Sequence, residues 1–245
     1  RASRLLNLLV PGLLPERGSL LAVRGLTIEI DTPAGPIQPV RDVSLTVVPG
    51  ETLAVVGESG SGKSLTGLAV MGLLPSVARI AGGAVWVEGE DVLRLGEAAL
   101  RRLRGDRMAM VFQDPLSSLN PVHRIGSQIA ETIHAHHQIS DRTARQRVVT
   151  LLQRVGIPDP ERRARSFPHE LSGGMRQRAM IAMAIANDPM LLIADEPTTA
   201  LDVTIQAQVL DLLARLKRDH GMGIVLITHS LPVVAEIADQ VAVMY

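Results

Sequence analysis

Between residues 57 and 64 the chain reads Gly57-Glu58-Ser59-Gly60-Ser61-Gly62-Lys63-Ser64, which fits G-x-x-x-x-G-K-[ST] at every fixed position. A short β-rich apolar run, Thr52–Gly57, precedes it, and a helical pattern from Lys63 to about Leu74 follows, closed by Pro75. A strand, a glycine-rich turn and a helix in that order make a cradle for an anion. Glycines let successive backbone N–H groups curve around phosphate oxygens without Cβ clashes. The helix points its positive end, worth roughly +0.5 charge, at the same place. Lys63 adds a full cation for the β- and γ-phosphates, and the Ser64 hydroxyl suits Mg²⁺.

The rest of the 245 residues reads as one large domain or two small ones. There is no cysteine, which excludes a disulfide scaffold and any cysteine-ligated metal. Lys plus Arg balances Asp plus Glu at 25 each, so nothing draws the chain generally toward nucleic acid. No apolar stretch approaches the ~20 residues of a membrane-spanning helix. Aromatics are only 2%, so the core is expected to be Leu, Ile, Val, Ala and Met, and binding by ring stacking is nearly excluded. Arg1–Arg17 lacks a small-residue cleavage site after its apolar part; residues 1–19 read as a linker or N-terminal extension.

Alternating apolar positions predict strands over Leu20–Ile30 and Val43–Val47, with Asp31–Pro39 between them, rich in proline, as a loop. Val85–Val87, Met108–Phe112, Met190–Ala194, Gly223–Thr228 and Val241–Met244 read as further strands. Thr204–Arg218 reads as an amphipathic helix stopped by Gly221, and Leu231–Ala238 as a short one. Apolar strands alternating with helices imply a parallel sheet covered on both faces. From about Pro115 to Ala186 the pattern is helical and rich in arginine, as expected of an inserted subdomain.

Two further segments carry chemistry. Leu191–Ala194 ends in Asp195-Glu196. A phosphate loop needs a carboxylate at such a strand end to hold Mg²⁺, a role that suits Asp195. Glu196, one residue on, suits a base taking a proton from attacking water. Leu171-Ser172-Gly173-Gly174-Met175 opens a helix with Ser172 as N-cap. Two glycines in a first turn cost stability, and Arg176 and Arg178 lie near the positive helix end; both costs make sense if an anion docks there.

In combination these residues resemble the nucleotide-binding subunit of an ATP-binding cassette (ABC) transporter, over about Leu20 to Tyr245. Gly57–Ser64 resembles the Walker A motif, Leu191–Asp195 with Glu196 the Walker B motif and its catalytic glutamate, and Leu171–Met175 the family signature. Gln113 in Val111-Phe112-Gln113-Asp114-Pro115 resembles the Q-loop, Ala200-Leu201-Asp202 the D-loop, and His229 the switch histidine. The resemblance implies a P-loop NTPase (RecA-like) α/β fold with a mostly parallel sheet, N-terminal antiparallel strands and an inserted helical subdomain. The core would span 20–113 and 187–245, and the subdomain about 114–186. It implies ATP and Mg²⁺ as ligands, with Ser64, Gln113 and Asp195 toward the metal, and Glu196, His229 and Gln113 in catalysis. Ser172, Gly173 and Gly174 would act in trans on the ATP held by a second ABC domain, and Asp202 of the D-loop would count among the nucleotide-binding residues. Permease subunits, a substrate-binding protein contacted indirectly, no nucleic acid, and a peripheral place on the cytoplasmic face of the membrane complete the implied setting.

Phe112–Pro121, Phe167–Arg178 and Ala194–Thr204 further resemble the dipeptide/oligopeptide importers, a pattern shared with nickel importers. A soluble, non-transport ABC ATPase is the remaining alternative. Three departures stand out. Ile30 occupies the region where the family places an adenine-stacking ring, so base contact is expected to be apolar packing. Ser230 follows the switch histidine where the subgroup has Asp. The chain stops at Tyr245, where relatives continue. His134, His136 and His137 read as a solvated helix face, since no carboxylate cluster accompanies them.

Overall fold

The computed structural model describes residues 18–199 and 201–245. The expected linker therefore lies almost entirely outside the described residues, as does Ala200. Strand β1 (Leu21–Thr32) turns at Pro33-Ala34 into β2 (Gly35–Val47). The two pair antiparallel from Leu21↔Val47 to Thr32↔Gly35, with three register shifts on the way. Strand β4 (Ala78–Val87) pairs antiparallel with the other side of β1, and a two-residue β5 (Glu90–Asp91) closes the order β2-β1-β4-β5.

The expected Asp31–Pro39 loop is largely β2, because β2 is the edge of this sheet. A proline lacks an N–H to donate, and an edge strand tolerates that on its open side. Pro36 sits opposite Asp31, and Pro39 falls at the register shift between Ile30↔Ile37 and Ile28↔Val40.

The second sheet is parallel throughout, in the order β6-β7-β8-β3-β9. These strands are β3 (Thr52–Gly57), β6 (Met108–Val111), β7 (Leu191–Asp195), β8 (Gly223–Thr228) and β9 (Gln240–Met244). Strands β6, β7 and β8 are buried along their whole length, as a sheet covered on both faces requires. Their side chains alternate between two cores. Ala109, Val111, Leu192, Ala194, Ile224 and Leu226 join one. Met108, Met110, Leu191, Ile193, Val225 and Ile227 join the other, with the antiparallel sheet and α1 (Lys63–Met71) behind them. The buried hydrophobic residues include no aromatic ring among the described residues.

Helix α1 ends earlier than its pattern suggests, because Gly72 adopts a left-handed C-cap at φ 64. Helix α2 (Glu97–Leu103) precedes β6. The arginine-rich block becomes α3 (Pro115–Ser118), α4 (Ile125–His134), α5 (Asp141–Arg154), α6 (Pro160–Ala164) and α7 (Gly173–Ala184). It is inserted between β6 and β7, which are neighbours in the sheet. Ile125, Ile129 and Ile133 of α4 pack with Leu152 of α5 and Met180 of α7 into the same core as Leu192 and Leu226. Helix α8 (Val203–His220) starts at a capping Asp202 and stops at Gly221, with Lys217, Arg218 and His220 in its last turn; α9 (Leu231–Ile237) follows β8.

Parallel pairing makes the strands end together. Val111 lies beside Ala194, Asp195 beside Ile227, and Val56 beside Thr228. The residues just beyond β3, β6, β7 and β8 therefore emerge along one edge, the side on which open α/β sheets bind ligands. Replacing Ile129, 1% exposed, with alanine is expected to cost about 2–5 kcal/mol in urea unfolding, because it opens a cavity where helices and sheet share one core.

Candidate functional site

The loop after β3 is shaped by two of its glycines. At Gly57 a Cβ would lie 2.0 Å from the Met244 carbonyl oxygen on β9. At Gly62, with φ +87, it would lie 2.5 Å from the Pro39 carbonyl of β2. The antiparallel sheet thus abuts the start of α1, and only glycine fits the contact. Lys63, 6% exposed, crosses back over its own loop. Its Nζ donates to the carbonyls of Gly57 (2.9 Å) and Glu58 (2.7 Å), and lies 3.4 Å from Ser61 Oγ. An ammonium has three donors, so two fix its position and the third is held only by the long Ser61 contact. A glycine-rich turn, a helix start and a fixed ammonium together fit a polyphosphate.

Ser64 Oγ donates to Asp195 Oδ1 at 3.0 Å, bridging α1 and β7. Burial pushes the Asp195 carboxyl above its ordinary range, assisted by the neighbouring Glu196 charge, against the Ser64 hydrogen bond and Lys63. A buried carboxylate beside a hydroxyl offers two hard oxygens, and a cation would relieve the cost of its burial. The pair suits Mg²⁺, which is held by one or two protein oxygens with substrate phosphates completing the shell.

Three strand ends meet at Glu196. Its Oε2 accepts from Gln113 Nε2, beyond β6, at 2.8 Å. Its Oε1 lies 3.1 Å from His229 Nδ1, beyond β8. Thr199 Oγ1 also donates to Oε2 at 2.8 Å. Burial alone would raise the Glu196 pKa, but the hydrogen bonds from Thr199 and His229, with the charges of His229 and Lys63, bring it below the ordinary value. The carboxylate is therefore ionised at neutral pH. Gln113, placed by sequence near the metal as well, gives its amide N–H to Glu196. Thr199 was not singled out by sequence; the only signal was its place three residues beyond Glu196, across Pro197.

The 171–175 segment lies elsewhere. Ser172 Oγ accepts from Met175 N at 3.3 Å, capping α7. A Cβ on Gly174 would meet Ile205 Cγ2 of α8 at 2.7 Å, whereas one on Gly173 would meet nothing within 4 Å. Close packing within the chain thus explains Gly174 and leaves Gly173 unexplained. Arg178 is not a spare cation at the helix start either. It donates to the carbonyls of Val155 and Gly156 after α5 and to Gln208 of α8. No hydrogen bond among the described residues joins 172–174 to the 57–64 loop. Asp202 caps α8 through Ile205 N at 2.9 Å. Ile30 pairs with Ile37, which is half-exposed, and Ser230 donates its N–H to Thr228 Oγ1. His134, exposed at the end of α4, lies 3.4 Å from Asp141, whereas His136 and His137 fall beyond the helix and are partly buried, so the three do not form the one solvated helix face expected.

Residues 40–199, from beside Gly62 through Thr199, match the family model described as ABC transporter. The chain belongs to the ABC transporter family. A peptide import ATP-binding protein of Brucella ovis is 54% identical over 94% of this chain and 70% of its own length. The oligopeptide transport ATP-binding protein OppD of Bacillus subtilis is 52% identical over 92% of this chain and 63% of its own. Among solved structures, the dimeric bacterial ABC transporter cassette MJ0796 superposes with a TM-score of 0.82 at 26% identity, covering 91% of this chain and 94% of that one. The fold of this ABC protein is thus the α/β cassette with its helical insertion.

Gly173 and Gly174 separate by experiment. Gly174→Ala is expected to lower the melting temperature, at a cost of about 1–3 kcal/mol from the Ile205 contact. Gly173→Ala is expected to leave it unchanged or raise it slightly through helix propensity. Differential scanning calorimetry of both variants checks this.

Proposed function

We propose that this chain is the ATP-binding and ATP-hydrolysing subunit of an ABC importer that powers peptide uptake through membrane partner subunits. The observation that carries the reading is the convergence of Gln113 and His229 on the Glu196 carboxylate, beside a loop formed to take a triphosphate. In this reading the amides of residues 57–64 and Lys63 hold the phosphates. Ser64 and Asp195 hold Mg²⁺, which offsets charge on the transferring phosphoryl group when bound. Glu196 accepts a proton from water, His229 stands against the γ-phosphate, and Gln113 links this centre to the helical insertion.

The family's resident arrangement also accounts for Gly173. Two copies, or this chain and a related one, face head to tail, and Ser172, Gly173 and Gly174 of one contact the γ-phosphate held by the other, with Asp202 at the same seam. The solved relative MJ0796 is dimeric, and a further structure of it holds ADP and Pi. The peptide cargo rests on relatives at 52–54% identity named for peptide import. Among the described residues no helix is long and apolar enough to cross a membrane. In this reading, which the family suggests, the chain attaches peripherally through permease subunits on the cytoplasmic face. The core would comprise residues 20–113 and 187–245, and the helical part about 114–186.

Glu196→Gln is expected to keep ATP binding while slowing phosphate release by about 10²–10⁴. Wild-type turnover in that variant would remove Glu196 from the chemistry. Lys63→Ala is expected to weaken ATP binding about ten- to a hundredfold by calorimetry, the worth of a charged hydrogen bond. Unchanged affinity would contradict the phosphate reading of the loop.

A further inference from the structure

Two donors share one oxygen of Glu196, and only one of them, Gln113, is a residue that the sequence singles out. Gln113 Nε2 and Thr199 Oγ1 both lie 2.8 Å from Oε2. His229 Nδ1 is alone on Oε1, at 3.1 Å. A carboxylate oxygen has two lone pairs in its plane, so Oε2 is saturated and Oε1 retains a free one. We propose that Thr199 is a positioning residue that, with Gln113, occupies Oε2 and so makes Oε1 the oxygen that receives the proton from water.

The fold does not require this hydroxyl contact. Thr199 is exposed, and an exposed hydroxyl can satisfy itself with water. The turn that contains it is already closed by the backbone bond from Thr199 N to Glu196 O, at 3.1 Å. The backbone at Glu196 is also unusual, with a left-handed φ of 46 held by the Glu196 N–H bond to Ile227 O at 2.9 Å. Such a conformation is uncommon outside glycine and is found where surrounding structure imposes it. From this backbone the side chain meets Gln113 beyond β6 and His229 beyond β8. Once there, the carboxylate could still rotate about its last torsion, which is broad and nearly two-fold. The Thr199 and Gln113 bonds remove that freedom.

The chemistry follows directly. As water attacks, one O–H bond breaks and its proton passes to Oε1. The water oxygen's electron pair forms the bond to the γ-phosphorus, and the bond from phosphorus to the bridging oxygen breaks, releasing ADP and phosphate. A carboxylate that turned its saturated oxygen to the water would have to break a hydrogen bond first.

The inference rests on Glu196 as the proton acceptor, and the test separates the two claims. Thr199→Val keeps shape and removes the hydroxyl; Thr199→Ser keeps the hydroxyl. In the full-length protein assembled with its membrane partners, Thr199→Val is expected to lower kcat about ten- to a hundredfold, the scale of a misplaced catalytic group. KM for ATP and the melting temperature should hold, and Thr199→Ser should restore most of the rate. In a Glu196→Gln background, Thr199→Val should subtract nothing further. Wild-type kcat in Thr199→Val would overturn the role, as would a loss that Thr199→Ser fails to restore or one confined to KM. Full hydrolysis by Glu196→Gln alone would instead sink the underlying assignment of the base.

Discussion

The parallel pairing of β6, β7, β8 and β3 sets everything at the site. Asp195 lies beside Ile227, and Val111 beside Ala194, so Gln113, Glu196 and His229 leave the sheet within hydrogen-bonding reach of one another. A strand shifted by one residue would exchange its two faces. Leu192 and Ala194 would then leave the core they share with the helical insertion, and Leu191 and Ile193 would leave the opposite one. The same apolar alternation that makes such a slip costly therefore holds three polar side chains in position. The hydrophobic sandwich and the reactive edge are consequences of one register.

Electrostatics at that edge are incomplete within the chain. Lys63 is buried and steadied by two carbonyls, and Asp195 is buried next to another carboxylate. Groups of opposite sign are thus fixed in place before any ligand arrives, which spares the cost of organising them during reaction. Helix α7 is organised in the same way, with Ser172 capping it and Gly174 seated on Ile205. Gly173 beside them faces open space, and in the proposed arrangement a second cassette brings the phosphate to it.

Much of this was legible beforehand, for physical reasons that differ from element to element. The parallel strands could be read because residues buried on both faces form unbroken apolar runs, as in Leu191–Ala194. The phosphate loop could be read because glycine, lysine and serine at fixed spacing have few other uses together. The first part of β2, residues 35–39, reads as a loop because its prolines look like punctuation unless the strand is known to lie at a sheet edge, whereas Val43–Val47 reads as strand. Gly174 and Arg178 also have partners inside the chain that the local pattern does not announce: Ile205 for the glycine, and the Val155 and Gly156 carbonyls for the arginine. Those partners lie 22 or more residues away, in contacts that no local pattern encodes. Thr199 escaped notice for a related reason: its role depends on a left-handed glutamate, and sequence carries no mark of that backbone.

The central claim is that one chain's phosphate loop and another chain's signature helix grip the same triphosphate. A structure of the Glu196→Gln protein grown with ATP and Mg²⁺ tests it most directly. The account predicts a head-to-tail pair, with the γ-phosphate bonded to Lys63 of one copy and to Ser172 and the Gly173 amide of its partner. ATP seated in a single copy, with every signature segment left in solvent, would contradict it.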